Sequence, residues 1–169
     1  LAPCAIEVVL GLEGRLYVVL PTGVCTSLPF ACNGPFIQDP ARLKIKDPET
    51  SPTNRWLLER VGQLAATAML QWLNRSDLTI AERSQAYRLL VPRGRFDNSL
   101  EGDCETIISE SFHKTISDEP FLLAESEELF NAGGCLAVPA WLTDVWSPEQ
   151  VSTLFDEQKR PILENSIDA

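Results

Sequence analysis

The chain has few of the residues that would hold a metal ion. Its 169 residues include one histidine and five cysteines, and the cysteines are widely spaced with no C-x-x-C pair among them. A zinc site needs a closer grouping of thiolate and imidazole ligands, so the sequence predicts no metal site. An odd number of scattered cysteines also argues against a disulfide framework and favours reduced thiols in a cytoplasmic protein.

Long apolar runs and catalytic motifs are also missing. No apolar run approaches the roughly 20 residues of a membrane helix, and the first residues do not resemble a signal peptide. The sequence contains no G-x-S-x-G, H-E-x-x-H or P-loop motif and no dinucleotide-binding glycine fingerprint. His113 has no nucleophile or orienting partner in a recognisable pattern. The sequence therefore predicts no catalytic residue, no membrane partner and no metal in this chain.

Positive charge is scarce and unevenly distributed. The chain carries 14 basic and 24 acidic residues, for a net charge of −10. Residues 1–75 hold seven basic and six acidic residues, whereas residues 76–169 hold seven and eighteen, so the net charges are +1 and −11. The second part would repel a phosphate backbone, so nucleic-acid binding is not expected. A basic protein partner or client would be attracted to it.

What is present is enough apolar sequence for a core, at 44% of residues. Ala5–Leu10 and Arg15–Leu20 are rich in β-branched residues and flank a glycine-containing turn, which predicts a β-hairpin covered on both faces. Leu28–Cys32 is predicted as a third strand. The chain opens at Leu1, directly before the first of these strands, which indicates a piece of a longer protein.

Helices are predicted from caps and from apolar periodicity. Ser51 and Pro52 open the longest helix, whose apolar stripe includes Trp56, Leu64 and Trp72 as predicted core residues. Further helices, strands and turns are expected at these positions: a helix from Thr79 to Leu90, a helix over Asp103–Ile116, strands at Phe121–Ala124 and Leu136–Trp141 around a helical turn at Ser126–Asn131, and a last helix opened by Ser147.

The predicted fold class is therefore α+β, with an N-terminal mixed or antiparallel sheet packed on a long helix and a mainly helical half with short strands. Residues 1–75 form the strand, loop and helix unit. Residues 76–169 form its acidic continuation within the same module.

The loop before the long helix carries three cations within five residues, Arg42, Lys44 and Lys46. Prolines near them restrict the loop to extended or turn conformations, so a positioned, extended loop is expected. An anion such as a nucleotide phosphate would suit it. The alternative is a solvated connector whose cations pair with Asp39, Asp47 and Glu49, as exposed charge clusters usually do.

The first 75 residues also resemble a known family. The elements that carry the resemblance are Leu20-Pro21, Thr26-Ser27-Leu28-Pro29, Cys32-Asn33-Gly34-Pro35-Phe36, Arg42 and Asn54-Arg55-Trp56-Leu57-Leu58. In this order they resemble the segment that follows the nucleotide-binding domain in sacsin-type proteins of the GHKL ATPase superfamily. The order of Trp and Asn differs from the family pattern, and one arginine stands where two are common. The remaining residues match only vaguely.

The resemblance implies a transducer-like middle fragment without catalytic activity of its own. ATP and Mg²⁺ would be bound by an upstream domain of the same chain, before Leu1, and no cofactor is expected in this part. The fragment would couple the nucleotide state to downstream domains, with the long helix as a lever, and could supply a cation to the terminal phosphate from Arg42, Lys44 or Lys46. The alternative is an acidic protein–protein interaction domain with no role in nucleotide binding.

Overall fold

The computed structural model describes residues 5–94, 96–124, 126–132, 134, 138, 140–143, 145–155 and 161–162. It has the α+β fold that the sequence predicts, with a four-stranded mixed sheet, a two-stranded sheet and several helices. The chain divides into two compact units. One comprises Leu1–Ala68 and Arg88–Ser117, and the other comprises Met69–Tyr87 and Asp118–Ala169.

The first unit contains the mixed sheet. Its strands are β1 (Glu7–Leu10), β2 (Arg15–Val18), β3 (Leu20–Cys25) and β4 (Phe30–Asn33), in the spatial order β1-β4-β2-β3. β4 is antiparallel to β1 and parallel to β2, and β3 pairs with β2 in antiparallel orientation.

The predicted hairpin of the first two strands is wrong, because β4 lies between them. Phe30, Ala31 and Cys32 of β4 are buried, so the strand with the most buried residues takes an inner position. The prediction that the first strands are covered on both faces is also wrong for β1. Its side chains alternate between exposed and half-buried, and Val9 is exposed.

Two helices that begin in the first unit follow serine caps. α1 spans Pro52–Leu73, and the Asn54 backbone N–H donates to Ser51 Oγ at 3.4 Å. α3 spans Leu100–Ile116, and Ser99 Oγ caps it by accepting from the Gly102 backbone N–H at 3.1 Å. This second helix begins three residues before its predicted start, because its cap is Ser99.

The apolar stripe of α1 is narrower than predicted. Trp56 is 52% exposed and Leu64 is 38% exposed, so their assignment to the core is wrong. The Arg60 guanidinium lies over the Trp56 ring at 5.4 Å from its centroid, which makes Trp56 part of a surface cation–π contact. Trp72 is half-buried.

α1 and α3 approach each other closely at Gly62. A Cβ atom at this position would lie 2.9 Å from the Phe112 backbone nitrogen and would also meet the Ile108 carbonyl oxygen. Ser111 Oγ donates to the Glu59 carbonyl oxygen at 2.7 Å beside this crossing. Only glycine therefore lets the two backbones come this close.

The second unit contains α2 (Ile80–Ser84). In the chain, a 3₁₀ helix over Gln85–Leu89 follows α2 directly. The predicted capping box is confirmed, because Thr79 and Glu82 exchange both of its hydrogen bonds. The Tyr87 hydroxyl accepts from the Leu123 N–H at 2.8 Å and donates to the Phe121 carbonyl oxygen at 2.7 Å.

A two-stranded sheet follows, with β5 (Leu122–Leu123) antiparallel to β6 (Leu129–Phe130). The helical turn predicted at Ser126–Asn131 is wrong, because its last part is β6. Trp141 lies in α4 (Ala140–Thr143) and not in the predicted strand, and residues 136, 137 and 139 lie outside the described residues. α5 (Pro148–Phe155) confirms the last predicted helix, and Ser147 Oγ accepts from the Gln150 N–H at 3.3 Å.

In the part of the chain that the structure describes, no helix combines the length and the apolar character that crossing a membrane requires.

Candidate functional site

The three predicted cations lie on a closed loop between β4 and α1. We call residues 37–46 the cation loop. Its arms form an antiparallel bridge between Gln38 and Ile45. The Lys46 N–H donates to the Ile37 carbonyl oxygen at 2.7 Å, and the Asp39 N–H donates to the Lys44 carbonyl oxygen at 3.0 Å. The loop is therefore a short hairpin with its own hydrogen bonds. Its arms pair with each other, and a turn joins them, so the loop is positioned as predicted but is not extended throughout.

The tip of the cation loop is a turn that starts at Asp39. The Arg42 N–H donates to the Asp39 carbonyl oxygen at 3.0 Å, and Asp39 Oδ1 accepts from the N–H groups of Leu43 and Lys44 at 2.9 and 3.3 Å. Aspartate at the first position and Pro40 at the second favour a turn of this kind. The carboxylate of Asp39 is thus used by the loop backbone.

Arg42 occupies the fourth position of this turn, which glycine favours. Its φ is 57°, in the left-handed region that side chains with a Cβ rarely adopt. The residue is exposed, and among the described residues it takes part in no ion pair. A strained, exposed and unpaired arginine at a turn tip contributes little to folding, and such strain concentrates at functional positions.

Two anchors fix the cation loop to the rest of the first unit. The Gly23 N–H of β3 donates to the Leu43 carbonyl oxygen at 2.6 Å. At the other end, the buried side chain of Asn54 in α1 makes three hydrogen bonds with the backbone of Ile37 and Lys46, at 2.7 to 2.8 Å. The loop is therefore held at its tip and at its base.

Lys44 is engaged in a salt bridge with Glu101 of α3, with Nζ 2.8 Å from Oε1. The hydrogen bond to Glu101 raises the pKa of Lys44, and the same bond lowers the pKa of Glu101. In the described residues, the pairing expected with Asp39, Asp47 or Glu49 does not occur. Asp47 Oδ1 instead accepts from the Glu49 N–H at 2.7 Å, so this carboxylate, like that of Asp39, serves the backbone.

Lys44 and Lys46 line a common open groove, of about 780 Å³, between the cation loop and the first turn of α3. The other charged side chains in its lining are three aspartates, Asp39, Asp47 and Asp103. Three carboxylates outweigh two ammonium groups, so the groove does not favour a phosphate. Arg42 is not part of this lining. The structure brings Lys44 and Lys46 together and leaves Arg42 apart from them at the loop tip.

Two residues of this site carry no sequence signal for their role. Glu101 is 57 positions from Lys44 in sequence, so only the tertiary structure brings them together. Asn54 follows the helix cap by three positions, where a side chain is normally solvated. The role of Asn54 is recognisable only once its partners in the cation loop are known.

Two of the described thiols, Cys32 and Cys104, are poorly suited to nucleophilic catalysis. Cys25, Cys32 and Cys104 are free thiols, and burial raises the pKa of Cys32 and of Cys104 to about 12. A thiol with such a pKa stays protonated near neutral pH and is a weak nucleophile. Within the described ranges, no three His, Cys, Asp or Glu side chains are grouped so as to hold a metal ion.

Comparison of the chain with protein-family models, with curated proteins and with solved structures found no significant match.

Proposed function

We propose that this chain is the transducer-like part of a larger cytoplasmic ATP-binding protein of the sacsin-type GHKL class. In this proposal an upstream domain binds ATP and Mg²⁺, and Arg42 offers its guanidinium to the terminal phosphate. Two things support it: the resemblance over residues 1–75, and an arginine kept in a strained, exposed conformation where glycine would be favoured. The proposal rests mainly on one observation, the left-handed backbone conformation of the exposed Arg42.

Arg42 suits this role better than the other two cations. Lys44 has its ammonium group bound to Glu101, and breaking that pair would oppose phosphate binding. Lys46 lines a groove in which carboxylates predominate. The Arg42 guanidinium has no such competitor among the described residues, and its planar fork matches two phosphate oxygens at once.

The mechanism is electrostatic. A positioned guanidinium stabilises the negative charge that develops on the phosphoryl oxygens, and it loses its partner when the terminal phosphate leaves. Because the cation loop is anchored at tip and base, little backbone entropy is lost when Arg42 binds, and the main ordering cost is that of its side chain. Closure on ATP would move the loop together with α1, and the helix would pass the change to downstream parts of the protein.

The test is ATP turnover of the full-length protein with substitutions of the three cations. Arg42→Ala should lower kcat about 100-fold, the usual loss when one charge-stabilising donor is removed. Lys44→Ala is the matched control and should change turnover little. Arg42→Gly separates function from folding, because glycine relieves the strain. This variant should be at least as stable as the natural protein and equally impaired in turnover.

Two results would contradict the proposed function. A full-length protein that does not bind ATP would remove the basis of the proposal. The same holds if Arg42→Ala turns over ATP at the natural rate, whatever the effect of Lys44→Ala or Lys46→Ala.

The acidic second part favours one alternative, a protein-interaction domain without a nucleotide role. Residues 76–169 have a net charge of −11 from eighteen acidic and seven basic residues. Trp141, Val145 and Leu154 are 66%, 73% and 62% exposed there. Exposed apolar and aromatic side chains among carboxylates are typical of surfaces that bind a basic protein partner or client. Salt-sensitive binding of a client that is unaffected by ATP and by Arg42→Ala would favour this alternative.

A further inference from the structure

The side chain of Asn54 joins three segments of backbone. Oδ1 accepts from the Ile37 N–H at 2.8 Å, and Nδ2 donates to the carbonyl oxygens of Ile37 at 2.8 Å and Lys46 at 2.7 Å. Its own backbone N–H donates to Ser51 Oγ at the start of α1. Asn54 is 0% exposed, so water does not replace any of these bonds.

Ile37 and Lys46 are the first and last residues of the cation loop, and they are also bonded to each other. A single side chain therefore fixes both arms of the loop to the first turn of α1. No other residue type supplies the same bonds from this position. Aspartate keeps the acceptor but has no donor, and glutamine places its amide one methylene further away.

We infer that Asn54 is a positioning residue that makes the cation loop and the first turn of α1 move as one body. Arg42 is thereby held in place for phosphate, and a displacement of Arg42 is passed to the helix. The catalytic consequence rests on the proposed function, whereas the mechanical coupling does not.

The coupling is tested without nucleotide by limited digestion of the full-length protein with trypsin. Arg42, Lys44 and Lys46 are trypsin sites on the exposed loop, and cleavage there requires the loop to open. Asn54→Ala removes the partners of the Ile37 N–H and the Lys46 carbonyl oxygen, and it leaves the Ile37 carbonyl oxygen with only the Lys46 N–H. Cleavage within residues 42–46 should therefore become about tenfold faster. Ser51→Ala removes the helix cap but keeps the three hydrogen bonds of the Asn54 side chain, and it should not open the loop.

Asn54→Asp serves as a second variant if Asn54→Ala does not fold, because it keeps the size of the side chain and the accepted bond and turns a carboxylate oxygen toward the two carbonyl oxygens in place of the donating amide. Equal cleavage rates in the natural protein and in the folded Asn54 variant would overturn the inference. It would also be overturned if Ser51→Ala opened the loop as much as the Asn54 variant does, since the effect would then come from the helix end.

The catalytic consequence is tested by a double-mutant cycle in ATP turnover. Asn54→Ala should lower kcat about tenfold or more and leave KM for ATP unchanged, because the upstream domain binds the nucleotide. In the Arg42→Ala background it should have no further effect, since its action passes through Arg42.

The outcomes of the cycle separate the two proposals. If Arg42→Ala impairs turnover and Asn54→Ala does not, the positioning role is wrong and the proposed function stands. An additive loss in the double variant also contradicts the positioning role. If Arg42→Ala has no effect, the proposed function fails, and the trypsin experiment alone decides whether Asn54 couples the loop to the helix.

Discussion

His113 is the only histidine of the chain and is held in one tautomer by the fold. Its Nε2–H donates to the Val91 carbonyl oxygen at 2.8 Å, while Nδ1 is buried and has no partner among the described residues. The edge contact with the Phe112 ring, at 5.4 Å between centroids, adds to this apolar setting. Burial lowers the pKa of His113, and the nearby positive charge of Arg93 acts in the same direction.

The lowered pKa predicts a loss of stability in mild acid. The unfolded chain binds a proton at His113 at a higher pH than the folded chain does, so the free energy of unfolding falls as pH drops below about 6.5. Above that pH the contribution is complete. The thermal unfolding midpoint should therefore decrease between about pH 7.5 and about pH 5.5, a range in which ordinary carboxylates stay ionised. His113→Gln should flatten this dependence, and an equally steep dependence in that variant would assign it to another group.

For the three cations, some properties could be predicted from the sequence and others could not. The cluster of Arg42, Lys44 and Lys46 is visible in the sequence, and so are the Asp39-Pro40 signals of the turn that displays it. The differences among the three cations are not visible. They depend on the partner Glu101 from a distant helix and on a backbone angle at Arg42 that no residue pattern indicates.

At the scale of elements, Gly62 determines how α1 meets α3. In an isolated helix, Gly62→Ala would stabilise by roughly 0.5–1 kcal/mol because alanine restricts the unfolded chain. In this fold the new methyl group would meet the Ile108 carbonyl oxygen and the Phe112 nitrogen, which belong to a neighbouring helix backbone. We therefore expect a net destabilisation of about 1–3 kcal/mol. Chemical denaturation measures this difference.

An exposed helical residue provides the control for this substitution. Gln71 lies on an exposed part of α1, and Gln71→Ala should change stability by less than about 0.5 kcal/mol. A Gly62→Ala variant that is more stable than the natural chain would contradict this expectation. It would show that α1 and α3 can move apart at this position without loss of stability.

Element boundaries were predictable where local hydrogen bonds determine them. Ser51, Thr79 and Ser147 each mark a helix start in the sequence, and each makes the expected capping bond. Strand pairing was not predictable in the same way. The insertion of β4 between β1 and β2 depends on contacts between segments far apart in sequence, and a turn signal between β1 and β2 favoured the wrong neighbour.

At the scale of the whole molecule, charge is the property that the sequence establishes most directly. The total of −10 and the contrast between +1 for residues 1–75 and −11 for residues 76–169 follow from counting. The structure adds that even the groove beside the cation loop is lined by more carboxylates than ammonium groups. A long-range negative field is therefore expected to govern weak association, whichever of the two functions holds.

With this negative field, the chain is expected to bind positively charged polymers and to repel negatively charged ones. A fluorescent lysine-rich peptide should bind at low salt and dissociate as salt screens the attraction, whereas duplex DNA should not bind. Glu128→Lys and Glu13→Lys are matched charge reversals at exposed positions, one in each part of the sequence. Salt limits the range over which each charge acts, so a substitution changes mainly the potential near its own position. Acidic residues are denser in residues 76–169 than in residues 1–75. Glu128→Lys should therefore weaken peptide binding more than Glu13→Lys does. Fluorescence anisotropy measures both affinities, and equal losses in the two variants would show that only total charge matters and that the acidic part is not a docking surface.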